Sequence, residues 1–529
     1  MIMKKSNITY LSVIFALTAA TSCNGFLDKM PDNRAEVDTE DKVVSLLTSA
    51  YPGSDHQLLC EFMSDNVDDY GESNPYYDQF IEEVYNWQDV TQADNEDPET
   101  LWEACYSAIS SANMALDAIE ELGGPDVSQT IKECKGEALI ARAYSHFILT
   151  NIFCLNYNSK TSATDLGIPY MTKSETTLRP DYPRGTVAED YELMDKDIEE
   201  GLKLIGDSHL SVPKYHFNTQ AAYAFAARFY LFYEKWDKAK EYADLCLGST
   251  PVLRDWNAVA SLPVEPDVRA ENYINSDNSC NLLLTTAYSG MGLYMGPYRV
   301  YARYSHGRYL ASYETGAARH IYGNNSAHIA PMYSYSATNF DRAMFWKIPY
   351  LFEYSDPVAG IGFYRTVFVN FSTDECLLTR AEAKIMLGDY NGAAEDLTIW
   401  QNNFVKANFR KALTPESIQT FFNSIEYATG MSSTIKKHLA PAFEIGEEGG
   451  VQETMLQCVL DFRRIQTLHE GMRWFDIKRY NIGIVRRVMG ANGFPAEVTD
   501  SLKVGDPRRA VQIPAKVRKA GMQANPRNN

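Results

Sequence analysis

After the apolar run from Ile8 to Ala20, the sequence has no second stretch uninterrupted enough to cross a bilayer. It also lacks the HExxH, GxSxG and P-loop patterns, and with them the usual signatures of zinc proteases, serine hydrolases and nucleotide-dependent enzymes. Positive charge is scarce: 49 Lys and Arg stand against 69 Asp and Glu, a formal net charge of −20. A field of that sign repels a phosphate backbone, so nucleic acid is excluded as a partner. None of the nine cysteines forms a CxxC or stands at zinc-ligand spacing from a histidine. Cys60, Cys105, Cys134, Cys154, Cys246, Cys280, Cys376 and Cys458 are scattered and read as small buried hydrophobes. The histidines show no ligand spacing either, and His306, His320 and His328 each read as a lone surface residue. No metal and no cofactor is expected.

What is present begins with an export signal. Lys4 and Lys5 form a basic start, the apolar run is too short to span, and Ala20-Thr21-Ser22-Cys23 closes it on small residues and a cysteine. The pattern predicts cleavage after residue 22 and lipidation of Cys23, which would anchor the mature chain at its first residue. A favoured Leu is replaced by Ala20. The rest, residues 23–529, is long for one domain and ordinary in composition, 45% hydrophobic and 22% charged.

Helical periodicity dominates. Cys105, Ile109, Ala112, Leu116 and Ile119 recur at spacings of three and four between Trp102 and Leu122, and Gly123-Gly124-Pro125 ends the run. A second helix is predicted from about Ser128 to Phe153 and another from about Ala188 to Ile205. Two later segments resemble tetratricopeptide units: Ala226 to Leu247 with Trp236 at its turn, and Leu378 to Trp400 with Tyr390 in the matching place. A fourth pair is predicted between Gln452 and Tyr480. The fold class read from this is mainly α, a tetratricopeptide-like scaffold of about four helical hairpins over residues 40–250 and 372–529. The long segment 250–371, rich in Tyr, Gly, Pro and Asn, reads as an irregular insertion layer with short strands at Leu282–Thr286 and Arg365–Val369.

Several landmarks, in order, resemble the SusD/RagB-like outer-membrane nutrient-binding lipoproteins: Cys23 followed by Phe26-Leu27-Asp28, Trp102 to Ile109 with Asn113, Lys135-Gly136-Glu137-Ala138 with Arg142, Arg184-Gly185-Thr186-Val187, Ala227-Arg228 and Arg380-Ala381-Glu382-Ala383. Glu470-Gly471-Met472-Arg473-Trp474-Phe475-Asp476-Ile477-Lys478-Arg479 is the most specific, and Gln512-Ile513-Pro514 with Asn525-Pro526 closes the series. The family's Asn-Arg-Asp-Pro-Arg is reduced here to Glu314 and Arg319, and Ala524 stands where Gln is usual. The resemblance implies a surface lipoprotein of the outer membrane that captures glycans, sits over a SusC-like TonB-dependent β-barrel transporter and carries out no catalysis. The rival is a helical scaffold that binds only other proteins at the outer membrane.

Charged clusters were weighed against simple packing. The pairs Glu470–Arg473 and Asp476–Arg479 are three apart and read as neighbours on one ion-paired helix. Arg142, Arg228 and Arg380 lie on inner faces and read as partners of buried carboxylates or helix ends. Asp65, Asp68, Asp69 and Glu72 could offer oxygens to calcium but lack EF-hand spacing, and read as a solvated acidic loop. A sugar presents C–H faces and a rim of hydroxyls, so its site needs flat rings beside planar hydrogen-bonding groups. Two stretches supply the mixture: Asn74, Tyr76 and Tyr77 through Trp87, and Tyr298, Arg303 and Tyr304 in the insertion. These seven are the candidate glycan contacts.

Overall fold

The computed structural model describes residues 37–72, 74, 76–174, 182–329 and 342–527. Cys23 and the signal segment lie outside them.

Helices build the frame. α1 (Pro98–Glu121) starts where the Asp97 carboxylate accepts the amide of Thr100 and Pro98 occupies the first turn. It ends at Gly123, whose φ of 111° suits glycine. α2 (Gln129–Phe153) is capped by Ser128 and buried on nearly every face. Gly136 lets it touch α3 (Val187–Leu204), since a Cβ there would stand 2.5 Å from the amide nitrogen of Ile205. α4 (Thr219–Phe232) and α5 (Trp236–Leu247) form the next hairpin, with Ala222, Ala226 and Ala227 allowing close approach. α6 (Thr373–Met386), α7 (Tyr390–Phe404), α8 (Val451–Gln466) and α9 (Met472–Arg479) complete the four predicted pairs. Trp236 and Tyr390 both open the second helix of their hairpin, as expected, yet each is only half-buried. Trp236 packs edge-on against Phe443 at 5.2 Å.

Buried ion pairs staple this frame. Arg142 on α2 grips Asp197 on α3 at 2.8 and 2.6 Å, and Arg380 on α6 grips Asp396 on α7 at 2.9 and 2.7 Å. Arg228 reaches Glu375 at 3.2 Å. In the Glu470 to Arg479 segment Asp476 and Arg479 pair locally at 3.7 Å, as expected, while the closer partners are distant ones. Glu470 meets Lys347, Arg473 meets Asp65, Asp476 meets Arg463, and Arg479 meets Glu382. The helix is buried throughout, so its charges also pair with whatever packs against them. Asn525 ties the end of α2 to later segments, donating to the carbonyls of Phe153 and Val511 at 2.7 Å each and accepting from Arg184 at 2.9 Å.

Two sheets accompany the helices. One has the order β3-β1-β6-β7 and joins β1 (Asp68–Asp69), β3 (Tyr304–Ser305), β6 (Ile484–Met489) and β7 (Pro495–Leu502). The other is antiparallel, β2-β5-β4, and is built by β2 (Asn281–Tyr288), β4 (Leu351–Asp356) and β5 (Ile361–Ser372). The predicted strand runs pair directly, Thr285 opposite Phe368 and Thr286 opposite Val367. β5 runs straight into α6, whose cap is Ser372.

Candidate functional site

Residues that the sequence placed in two loops come together around segment 294–304. Tyr76 bridges to Ala302, and the Arg303 amide donates to the Tyr76 carbonyl at 3.1 Å. Here the seven candidates separate. Trp87 is 5% exposed, its indole N–H donates to the Met63 carbonyl at 2.9 Å, and Arg486 covers its ring at 3.9 Å with Arg508 at 5.4 Å. Its backbone sits at φ 53°, a left-handed conformation that packing must hold. The expectation that Trp87 offers a face to sugar is therefore corrected: it is a core residue. Tyr304, 2% exposed, packs on Tyr85 at 4.6 Å and donates to Glu82 at 2.9 Å. Arg303 is committed to Asp69 through two 2.8 Å bonds, which hold its guanidinium charge well above the usual arginine range with burial opposing. Asn74 accepts from Arg342 at 2.9 Å and donates to the Tyr70 carbonyl at 2.7 Å.

The acidic loop is not solvated either. Asp65 pairs with Arg473, Arg464 and Lys437, and Asp68 with Arg487, all in the interior. Burial opposes the charge of Asp65, but these cations hold its carboxyl well below the usual range. Among the described residues no cluster of His, Cys, Asp and Glu is arranged to hold a metal ion. His306, His320 and His328 are buried as well, which corrects their surface reading. His306 bonds the Ala343 carbonyl and Thr315, and His320 bonds Asp461.

Tyr76, Tyr77 and Tyr298 remain at the surface, and Tyr76 and Tyr298 belong to a larger aromatic tract. Tyr301 meets Tyr76 at 6.1 Å, Tyr76 meets Tyr294 at 6.2 Å, and the Arg299 guanidinium lies 4.2 Å and 4.6 Å from the centres of those two rings. Arg299 is also 6.0 Å from Tyr364, where the sheet takes over. Tyr364 touches Tyr350 at 5.7 Å and Phe352 at 5.4 Å, Phe352 touches Tyr354 at 4.8 Å, and Tyr350 touches Tyr298 at 5.0 Å. Register explains the grouping: Phe352 lies opposite Tyr364 and Tyr354 opposite Gly362, so these side chains share one face of the β4–β5 hairpin. Tyr354 is 58% exposed and Tyr301 37% exposed, so the tract opens to solvent.

Carboxylates pin the rings. Tyr294 donates to Asp78, Tyr298 to Asp267 and Tyr77 to Glu82. Burial first, and then Asp78, pushes the Tyr294 phenol up, so the ring stays a neutral donor. Gly292 brings the short helix Met291–Tyr294 against the other wall, because a Cβ there would lie 2.4 Å from the Pro349 carbonyl. Rings held this way need no ordering before a ligand packs on them.

The aromatics at 350, 352, 354 and 364 were missed in the sequence. Their signal was alternation before Pro357 and Gly360, a hairpin pattern. Two grooves lie elsewhere, flanking the helix Ala515–Lys519. One, about 770 Å³, is lined by Asp89, Asp94, Asp97, Glu99 and Glu103 without an aromatic ring. The other, about 600 Å³, is apolar, with Trp102, Tyr106, Met171 and Met522. Its Asn113 is already bonded to Arg142 and to the carbonyls of Met171 and Lys173.

Comparison with known proteins is decisive about ancestry. A SusD-like model described as starch-binding and associating with the outer membrane matches residues 25–231, and the SusD family model, SusD_RagB, matches residues 298–525. The chain belongs to the SusD/RagB family. Solved SusD-like structures share its fold over most of its length. A putative sugar binding protein from Bacteroides vulgatus is 18% identical with a TM-score of 0.65, covering 93% of this chain and 99% of its own. A SusD superfamily protein from Bacteroides thetaiotaomicron is 17% identical with a TM-score of 0.59, covering 92% and 100%. At such identity the likeness carries the SusD fold and not the ligand. No curated protein matches the chain.

Proposed function

We propose that this SusD-like protein is a cell-surface glycan-binding lipoprotein, anchored to the outer membrane through Cys23, that captures an oligosaccharide or polysaccharide and passes it to a TonB-dependent barrel. No chemical step is assigned to it. The observation that carries the reading is a pair of ring clusters, Tyr301–Tyr76–Tyr294 and Tyr298–Tyr350–Tyr364–Phe352–Tyr354, joined through the Arg299 guanidinium and flanked by carboxylates. Flat rings suit the C–H faces of a sugar, and planar polar groups suit its hydroxyls. Family membership and the family description support the same class of ligand and the same membrane. Among the described residues no helix is long and apolar enough to cross a bilayer, in keeping with attachment by lipid. An open surface of this kind is expected to bind at about micromolar to millimolar Kd, and co-anchoring with the barrel in one membrane would make weak capture useful.

Calorimetric titration against a panel of glycans tests the reading, with Tyr76→Ala/Tyr364→Ala as the paired variant. Binding by the wild type and its loss in the folded double variant are the expected results. Binding that survives in the variant would place the site elsewhere, and reducing ends accumulating with pure protein would show catalysis.

A further inference from the structure

The aromatic tract contains one cation that the protein itself leaves without an anion. The Arg299 guanidinium lies 4.2 Å from the centre of Tyr76 and 4.6 Å from that of Tyr294 on a half-exposed residue, yet it makes no hydrogen bond or ion pair with any described residue. Other arginines nearby behave differently. Arg303 is bound to Asp69, Arg365 to Glu353 at 2.7 Å, and Arg342 to Asn74 and the Ala302 carbonyl. In a chain of net charge −20, an unpaired arginine beside acids requires that those acids be otherwise engaged. They are. Asp78 accepts the amides of Phe80 and Ile81 at the start of the helix Gln79–Tyr85 with one oxygen and the Tyr294 hydroxyl with the other. Asp267 accepts Tyr298.

A guanidinium fixed by two aromatic faces keeps its planar fork of N–H donors rigid, which is the arrangement that matches the two oxygens of a carboxylate. We infer that Arg299 recognises a carboxylate on the glycan, so that the ligand class is an oligosaccharide containing uronic acid. This rests on the glycan-binding reading above and narrows it. The overall negative field argues for isolated carboxylates and against a densely charged polymer, because each further anion brought to the surface meets repulsion beyond the reach of one arginine. Tyr76 and Tyr364 beside the cation would stack on the neutral parts of the same chain.

The test is titration of short oligosaccharides that alternate uronate and neutral sugars, each compared with its carboxyl-reduced counterpart, which differs at that group alone. The wild type should prefer the uronate form by roughly ten- to a hundred-fold, the range for a hydrogen bond to a charged group, and the preference should shrink with added salt. Arg299→Gln should erase the preference by weakening the uronate form far more than the reduced form, with the fold intact by circular dichroism. Arg299→Lys should keep only part of it, since the charge survives and the fork does not. Equal binding of both forms by the wild type, or equal weakening of both in Arg299→Gln, overturns the uronate assignment and leaves glycan binding standing. Binding of no glycan in either form overturns both.

Discussion

At the scale of single residues, the clearest lesson is that an aromatic in a polar loop can be structural. Trp87 has the neighbours of a sugar platform in sequence, but its indole lies between Arg486 and Arg508 and is bonded to Met63. Trp87→Ala should cost about 3–5 kcal/mol, as truncation of a buried aromatic does. Urea unfolding checks this, and an unchanged midpoint with lost glycan binding would restore Trp87 to the site. Glu96 shows a second kind of buried residue. It is fully enclosed, accepts the Ser289 hydroxyl and the Gly290 amide, and is pushed by burial from an ordinary 4.5 to about 8. The folded chain therefore holds a proton that the unfolded chain releases, so the stability contributed by Glu96 is present below about 4.5 and is lost as pH rises through about 8. Glu96→Gln should remove that dependence. The difference in unfolding midpoint between variant and wild type should shift in favour of the variant from pH 5 to pH 8, and a constant difference would mean the carboxyl is ionised in the fold.

At the scale of elements, the β4–β5 hairpin presents half of the aromatic tract, and its geometry rests on one glycine. A Cβ at Gly362 would stand 2.1 Å from the Glu353 carbonyl, and Gly362 faces Tyr354 in the pairing. Gly362→Ala should splay the strands, cost about 1–3 kcal/mol in the manner of overpacking, and weaken glycan binding while the helices stay folded. Far-ultraviolet circular dichroism with titration measures both effects. Normal binding in the variant would show that the hairpin face is not used. The helical elements behave more simply, because each carries its own start signal: Asp97, Ser128, Thr186, Asn218 and Ser372 cap the helices that follow them.

At the scale of the whole molecule, scaffold and site use charge differently. The helices are joined through buried pairs such as Arg463 and Arg479 on Glu382, where removing one partner strands the other. The surface tract uses its carboxylates to orient phenols, which frees Arg299. Attachment is a property of the entire chain as well. On the proposed anchoring through Cys23, Cys23→Ala should move the protein from the membrane to the soluble fraction. Unaltered fractionation would mean another means of attachment.

The sequence alone determined what depends on neighbours close along the chain. The helical hairpins, their caps, the two strands that pair as Thr285 with Phe368, and the order of family landmarks all follow from local spacing. Arg142 and Arg380 were legible as buried partners because an arginine on an apolar helix face must find a carboxylate. Only the tertiary structure decided exposure. Whether Trp87 or Tyr76 faces water depends on Arg486 and Arg299, which lie hundreds of positions away in sequence, and whether Asp65 is solvated depends on Arg464 and Arg473. Burial is set by which distant segments meet, and composition within a loop holds no record of that meeting. The tract itself is assembled from segments near positions 76, 299 and 352, none of which carries a recognisable sugar site alone.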